Sequence, residues 1–137
     1  MAPRKIPSRK IPGEEYEGRW KNALGRRGAM EREFLAGSYD PALVLATQAV
    51  IAACDAFTIF HRGERSASDR HLDAIAMLSH VTGVPGLEEA RLHLSKVLRE
   101  KAEIEYSGKT PKPKEAERLV EHARRFIDFV SEHLPGG

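Results

Sequence analysis

The side chains best suited to acid–base or metal chemistry are six histidines in a chain of 137 residues. A di-iron helical bundle needs a Glu-x-x-His spacing on two helices, whereas Glu89 and His93 stand one turn apart and are not repeated. Four other histidines stand near predicted helix ends or among charged residues, which is typical of exposed polar side chains: His61, His80, His122 and His133. We therefore predict no metal site.

The single cysteine, Cys54, bears on both chemistry and cellular compartment. It lies in the most apolar stretch of the chain, where a thiol is typical of a small buried hydrophobe rather than a nucleophile. The sequence also has no glycine-rich phosphate loop, Cys-x-x-Cys pair or nucleophile elbow, so we expect no bound cofactor. One cysteine cannot form an intrachain disulfide, and the start of the chain lacks the apolar region that a secretory signal needs. We therefore expect a cytoplasmic protein.

Positive charge is concentrated at the start of the chain. The whole chain carries a formal net charge of only +2, which is too small to require a polyanionic partner. The first twelve residues hold three prolines, no acid and four cations: Arg4, Lys5, Arg9 and Lys10. Such a segment has too little apolar surface to offset the entropy of ordering it. We predict that residues 1–14 form a disordered basic arm, which either contacts nucleic-acid phosphates or is a solvated tail without a partner.

From residue 15 onward, apolar residues recur with a helical period, and no alternating pattern typical of strands competes with it. The spacing predicts a single all-α domain over residues 15–134, an antiparallel four-helix up-and-down bundle with one extra short helix, followed by a flexible tail over residues 135–137. The predicted long helices cover residues 15–36, 41–62, 87–104 and 114–134, and the short helix begins near Ser68 or Asp69 and ends near Val81.

The second of these helices is apolar on every side, and its length approaches that of a membrane span. Gln48, Asp55 and several alanines weaken that interpretation, and the other helices are amphipathic. A helix buried at the centre of a bundle fits the pattern better, so we predict no contact with a membrane.

Several segments together resemble the HEPN superfamily, whose members are small helical domains that bind nucleotides. The resemblance spans residues 16–134. It includes the apolar helix over residues 41–60, the segment Ser68-Asp69-Arg70-His71-Leu72, residues 98–106, and the closing helix with Glu115-Ala116-Glu117 and His122-Ala123-Arg124-Arg125-Phe126-Ile127. The resemblance implies a HEPN-like fold that pairs as a homodimer and binds a nucleotide, RNA or a partner protein, for example in a toxin–antitoxin or defence system.

The resemblance also indicates where a site would lie. Many members are ribonucleases with an Arg, four to six residues and then a His, a spacing that Arg65 and His71 have here. In such a pair the His would act as general base and the Arg would stabilise phosphoryl charge. Catalytic members, however, carry the pair just before the final helix, where this chain has Arg99 and Tyr106 without a histidine. The resemblance thus favours a non-catalytic domain that uses these four residues to bind a ligand.

Two alternatives to the non-catalytic domain remain open at the level of the sequence. The first is a metal-independent ribonuclease that uses Arg65 and His71 as its catalytic pair. The second is a helical, dimeric interaction module unrelated to HEPN domains. The missing histidine beside Tyr106 distinguishes the favoured domain from the ribonuclease.

Overall fold

Helices make up most of the chain. The computed structural model describes residues 6–67 and 71–136, and within them the chain forms five α-helices, one short 3-10 helix and two three-residue strands. In chain order the elements are β1 (Ser8–Lys10), the 3-10 helix (Gly13–Glu15), α1 (Tyr16–Leu35), α2 (Tyr39–Arg62), β2 (Glu64–Ser66), α3 (Leu72–Leu78), α4 (Leu87–Ser107) and α5 (Pro113–Glu132). The prediction of an all-α bundle with four long helices and one short helix is confirmed.

Ion pairs between α1 and α5 give the relative direction of these helices. Arg27 Nη1 lies 2.6 Å from Asp128 Oδ1, and one turn further along α1 Glu31 Oε1 lies 2.9 Å from Arg124 Nη2. Residue numbers rise along α1 as they fall along α5, so the two helices are antiparallel. At the end of this interface the Tyr16 hydroxyl donates a hydrogen bond of 3.2 Å to the carbonyl of Pro135, which holds the start of the predicted flexible tail against α1.

Contacts between α4 and α5 give the relative direction of these two helices. His93 in the first half of α4 meets His122 near the middle of α5, and Glu100 Oε1 lies 3.3 Å from Arg118 Nε nearer the turn that joins the two helices. Helix α4 is therefore also antiparallel to α5. Helices α1 and α2 pack along each other and are joined by the short turn over residues 36–38, so the four long helices run up, down, up, down.

The central element is α2, which packs against each of the other four α-helices. By length and composition it could cross a membrane, because its most apolar stretch of 18 residues has a mean hydropathy of 1.9. However, 61% of that stretch is buried inside the bundle. Its buried side chains include Leu43, Val50, Phe57 and Ile59, whereas Val44 and Gln48 are exposed along one stripe. Burial of most of its surface explains why the helix has no broad polar face.

Cys54 lies inside this core. The side chain is 1% exposed, and its Sγ donates a weak hydrogen bond of 3.6 Å to the carbonyl of Ala74 on α3. Burial raises the pKa of the thiol well above its usual value, so the reactive thiolate is disfavoured. The prediction of a small buried hydrophobe is confirmed.

The prediction of a disordered arm over residues 1–14 is wrong for the residues that the structure describes. Strand β1 pairs antiparallel with β2, with Ser8 opposite Ser66 and Lys10 opposite Glu64, and the amide of Ile11 donates a hydrogen bond of 2.8 Å to the carbonyl of Gly63. These backbone hydrogen bonds, together with the packing of Ile11 against the core, offset the entropy of ordering the segment.

The structure describes two of the four cations proposed to contact nucleic acid. Arg4 and Lys5 lie outside the described residues. Arg9 and Lys10 belong to β1, and their side chains are exposed. Contact of this segment with phosphates therefore stays a prediction, now for a strand rather than a disordered arm.

Candidate functional site

A cleft of about 740 Å³ opens between α2, α3 and α4. The side chains that line it come from one face of α2, the start of α3 and the second half of α4. They are Val44, Thr47, Gln48, His71, Leu72, Asp73, Leu98, Arg99, Lys101, Ala102, Glu103 and Glu105. This volume lies within the range of cavities that bind small molecules in proteins.

The walls of this cleft are largely apolar. Val44 and Thr47 are three residues apart and therefore share a face of α2, and Leu98 and Ala102 are one turn apart on α4. Leu72 enters from α3. Val44 and Leu72 are 38% and 48% exposed, which is unusual for large apolar side chains that meet in one concave surface. Apolar surface left open in this way is typical of a binding site.

Charged groups of both signs surround the apolar walls. Arg99 donates from Nε to Ser95 Oγ at 2.9 Å, and its two terminal nitrogens make no hydrogen bond within the described residues. Lys101 is buried and pairs with Glu105 one turn later. His71 precedes α3 and is exposed. Arg99 and His71 are therefore the nitrogen-bearing side chains best placed to donate hydrogen bonds to a ligand.

The four predicted ligand-binding residues do not all meet in this cleft. His71 and Arg99 line it, which brings together two residues 28 positions apart in the sequence. Tyr106 follows Ala102 by one turn of α4, but its side chain is 96% exposed and is not part of the lining. Arg65 is not part of the lining either.

Arg65 belongs to a second charged cluster, with Asp55 and Arg19. It lies on β2, where its Nη1 donates to the carbonyl of Ser66 at 3.1 Å, and its buried Nε has no hydrogen-bond partner within the described residues. Burial raises the pKa of Asp55 to about 6, although the charges of Arg65 and Arg19 oppose the shift. Arg65 therefore interacts with the half-buried carboxyl of Asp55 on α2 and is not among the residues that line the cleft.

Several cleft residues have no distinguishing signal in the sequence. Gln48 and Val44 are part of an apolar helix that the pattern predicts to be buried on every side, yet both are exposed in the cleft. Lys101 looks like one more charge on an amphipathic helix, but it is 5% exposed. Only the placement of α3 beside α2 and α4 distinguishes these residues from their neighbours.

The prediction that four histidines are exposed holds only for His80. His61 and His133 are half-buried near the ends of α2 and α5, where the carbonyl of His133 lies 3.1 Å from Nε2 of His61. His122 is half-buried against His93. Within residues 6–67 and 71–136, no group of three His, Cys, Asp or Glu side chains is arranged to hold a metal ion.

Comparison with known families identifies the fold. The HEPN domain model matches residues 16–133, which include all five α-helices and the whole cleft. No curated protein and no solved structure matches the chain. HEPN domains are helical domains related to nucleotides and RNA. The chain belongs to the HEPN domain family.

Proposed function

We propose that this HEPN domain binds a nucleotide, free or as a unit of RNA, in the cleft between α2, α3 and α4, and does not cleave it. The observation that carries the proposal is the combination of apolar walls with Arg99 and His71 in one cleft of about 740 Å³. The family match removes the alternative of a module unrelated to HEPN domains.

The two parts of a nucleotide fit the two kinds of surface in the cleft. A base is flat and apolar on its faces, and it would lie against Val44, Leu72 and Leu98. A phosphate would meet the planar guanidinium of Arg99, whose terminal nitrogens can donate two parallel hydrogen bonds. His71 would add a third donor, or a positive charge when the imidazole is protonated.

The acidic residues of the cleft limit the charge of the ligand. The lining holds three carboxylates, Asp73, Glu103 and Glu105, against two cations, Arg99 and Lys101, and Lys101 already pairs with Glu105. Arg99 is thus left to meet a phosphate, whereas a run of phosphates inside the cleft would meet the carboxylates. The charge of the lining therefore limits the ligand to a mononucleotide or a single nucleotide of a strand.

Nucleotide binding is tested by calorimetric titration with adenosine and guanosine 5′-monophosphate. We expect Arg99→Ala to weaken binding by about tenfold or more, because a hydrogen bond to a charged group contributes about 1.5 to 3 kcal/mol. His71→Ala is expected to weaken it as well. Arg26→Ala is the matched control, since Arg26 is exposed on α1 and outside the cleft. Equal affinities of the wild type and Arg99→Ala would contradict the proposal.

The non-catalytic part of the proposal depends on the separation of Arg65 from His71. A ribonuclease would need both at one phosphate, but Arg65 donates to the carbonyl of Ser66 and lies near Asp55. In the sequence around Tyr106, at the end of α4, stand Ile104, Glu105 and Ser107, so no histidine occupies the position before the final helix where the resemblance would place the base.

We expect the purified protein not to cleave single-stranded RNA in the presence of EDTA. The measurement is the decay of an end-labelled RNA over hours, compared with buffer alone. Cleavage that disappears in both His71→Ala and Arg65→Ala would establish the ribonuclease instead. Loss in only one of the two would indicate a different catalytic pair and would also contradict the non-catalytic proposal.

We also propose that the domain is a cytoplasmic homodimer that acts in a toxin–antitoxin or defence pair. What supports pairing is exposed apolar surface on and beside the cleft: Leu72 is 48% exposed and Tyr106 is 96% exposed. A symmetric contact over this face would place two copies of Arg99 and His71 near each other. The resemblance to HEPN domains supports the proposed setting.

A further inference from the structure

Two imidazoles face each other across the interface of α4 and α5, on the residues His93 and His122. Their Nδ1 atoms are 2.9 Å apart, and their ring centroids are 5.2 Å apart. At this separation one Nδ1 carries a proton and the other presents a lone pair. Neither residue lines the cleft of the proposed function.

Both rings are neutral near pH 7. Burial is the largest cause that lowers the pKa of His93 and of His122 below the usual value. A neutral imidazole is the form that binds metal ions. Around the pair lie as many cations as acids: Lys96, Arg118 and Arg125 against Glu89, Glu100 and Glu121. The surrounding charge therefore does not repel a divalent cation.

We propose that His93 and His122 form a two-imidazole site for a late transition-metal ion, Ni²⁺ or Cu²⁺, that joins α4 to α5. Metal–nitrogen bonds to His are about 2.0 to 2.1 Å long. The two Nδ1 atoms are 2.9 Å apart, so bonds of that length from both atoms to one ion would make an N–metal–N angle of about 90°. Right angles between ligands are typical of square-planar and octahedral ions, whereas a tetrahedral zinc site needs wider ones.

Binding requires only local movement. The ring that carries its proton on Nδ1 gives it up to water and takes a proton up at Nε2, so both imidazoles stay neutral. Each ring then turns so that its Nδ1 lone pair points at the ion rather than at the other ring. Both side chains are half-buried at the surface, so solvent water completes the coordination sphere. Because each helix supplies one ligand, the ion fixes the two helices to each other and stabilises the folded state.

The proposal is tested on the untagged, full-length protein by calorimetric titration with NiCl₂ and by electron paramagnetic resonance with Cu²⁺. We expect one ion per chain, two imidazole nitrogens bound to Cu²⁺, and a higher melting temperature with Ni²⁺. His93→Gln and His122→Gln should each weaken binding by about a hundredfold, since a chelating pair loses its second anchor. His80→Gln is the control, because His80 is exposed and faces Glu64 instead of a histidine.

Three results would overturn the two-imidazole site. The first is saturable Ni²⁺ binding of unchanged affinity in the double variant, and the second is equal weakening by His80→Gln. The third is a Cu²⁺ spectrum of the wild type without two imidazole nitrogens, which decides the question even if a variant fails to fold. Nucleotide titrations of His93→Gln should match the wild type, so the two proposed sites can fail independently.

Discussion

Ile127→Asp is expected to unfold the domain at room temperature. Ile127 is fully buried on the apolar stripe of α5, which packs against both α2 and α4. An aspartate there leaves a charge without a partner in the core and removes the isoleucine packing. We expect a loss of about 4 kcal/mol or more, which is comparable to the whole stability of a small domain.

The measurement is the far-ultraviolet circular dichroism signal during thermal and urea unfolding. Ile127→Val should cost only about 1 kcal/mol, because it removes one methyl group and keeps the packing. Lys114→Asp places the same charge on an exposed position of the same helix and should have little effect. A melting curve of Ile127→Asp that superimposes on the wild type would mean that α5 presents a different face to the core.

Asp55→Asn is expected to stabilise the protein at pH 7.5 by about 2 kcal/mol. Asp55 is the carboxyl in the middle of the apolar helix α2, and burial raises its pKa to about 6 in spite of Arg65 and Arg19. Its pKa in the unfolded chain is the ordinary 3.8. Above pH 6 the wild type holds an ionised carboxylate that the folded state disfavours, and asparagine removes that charge.

The sign of the pH dependence follows from the same shift. Between about pH 4 and 6 the folded state binds a proton at Asp55 that the unfolded state has released, so this group makes stability fall as pH rises. The free energy of unfolding of Asp55→Asn, measured in urea across this range, should lack that contribution. Asp128→Asn is the control and should be slightly destabilising, since Asp128 is exposed and pairs with Arg27. Destabilisation by Asp55→Asn at pH 7.5 would show that the ionised carboxylate is instead favoured by its arginine neighbours.

The helices could be predicted from the sequence because their information is local. Spacing of three and four between apolar residues identifies α5 directly, since its buried residues include Leu119, Val120, Ala123 and Ile127. An apolar helix among amphipathic ones has to be central, which places α2 correctly. The strands could not be predicted, because β1 and β2 have three residues each and lie more than 50 residues apart. Their pairing depends on where α1 and α2 bring the two segments.

The candidate site could be predicted only in part for the same reason. Arg65 and His71 are six positions apart in the sequence, yet pairing of β2 with β1 places Arg65 where it interacts with Asp55 and leaves it outside the lining of the cleft. His71 and Arg99 meet there because α3 packs against α4. A motif read along the chain cannot distinguish these outcomes, since both depend on contacts between elements.

The pairing of β1 with β2 has a consequence for motion. One end of the α1–α2 hairpin is closed by the short turn over residues 36–38, and the strand pair closes the other end by hydrogen bonds such as that from Ile11 to Gly63. A helix pair fastened at both ends resists sliding and splaying. Because α2 is held in this frame, we expect the cleft to widen for the proposed nucleotide by displacement of α3 and α4. We therefore expect the affinity for that ligand to depend on how freely those two helices move.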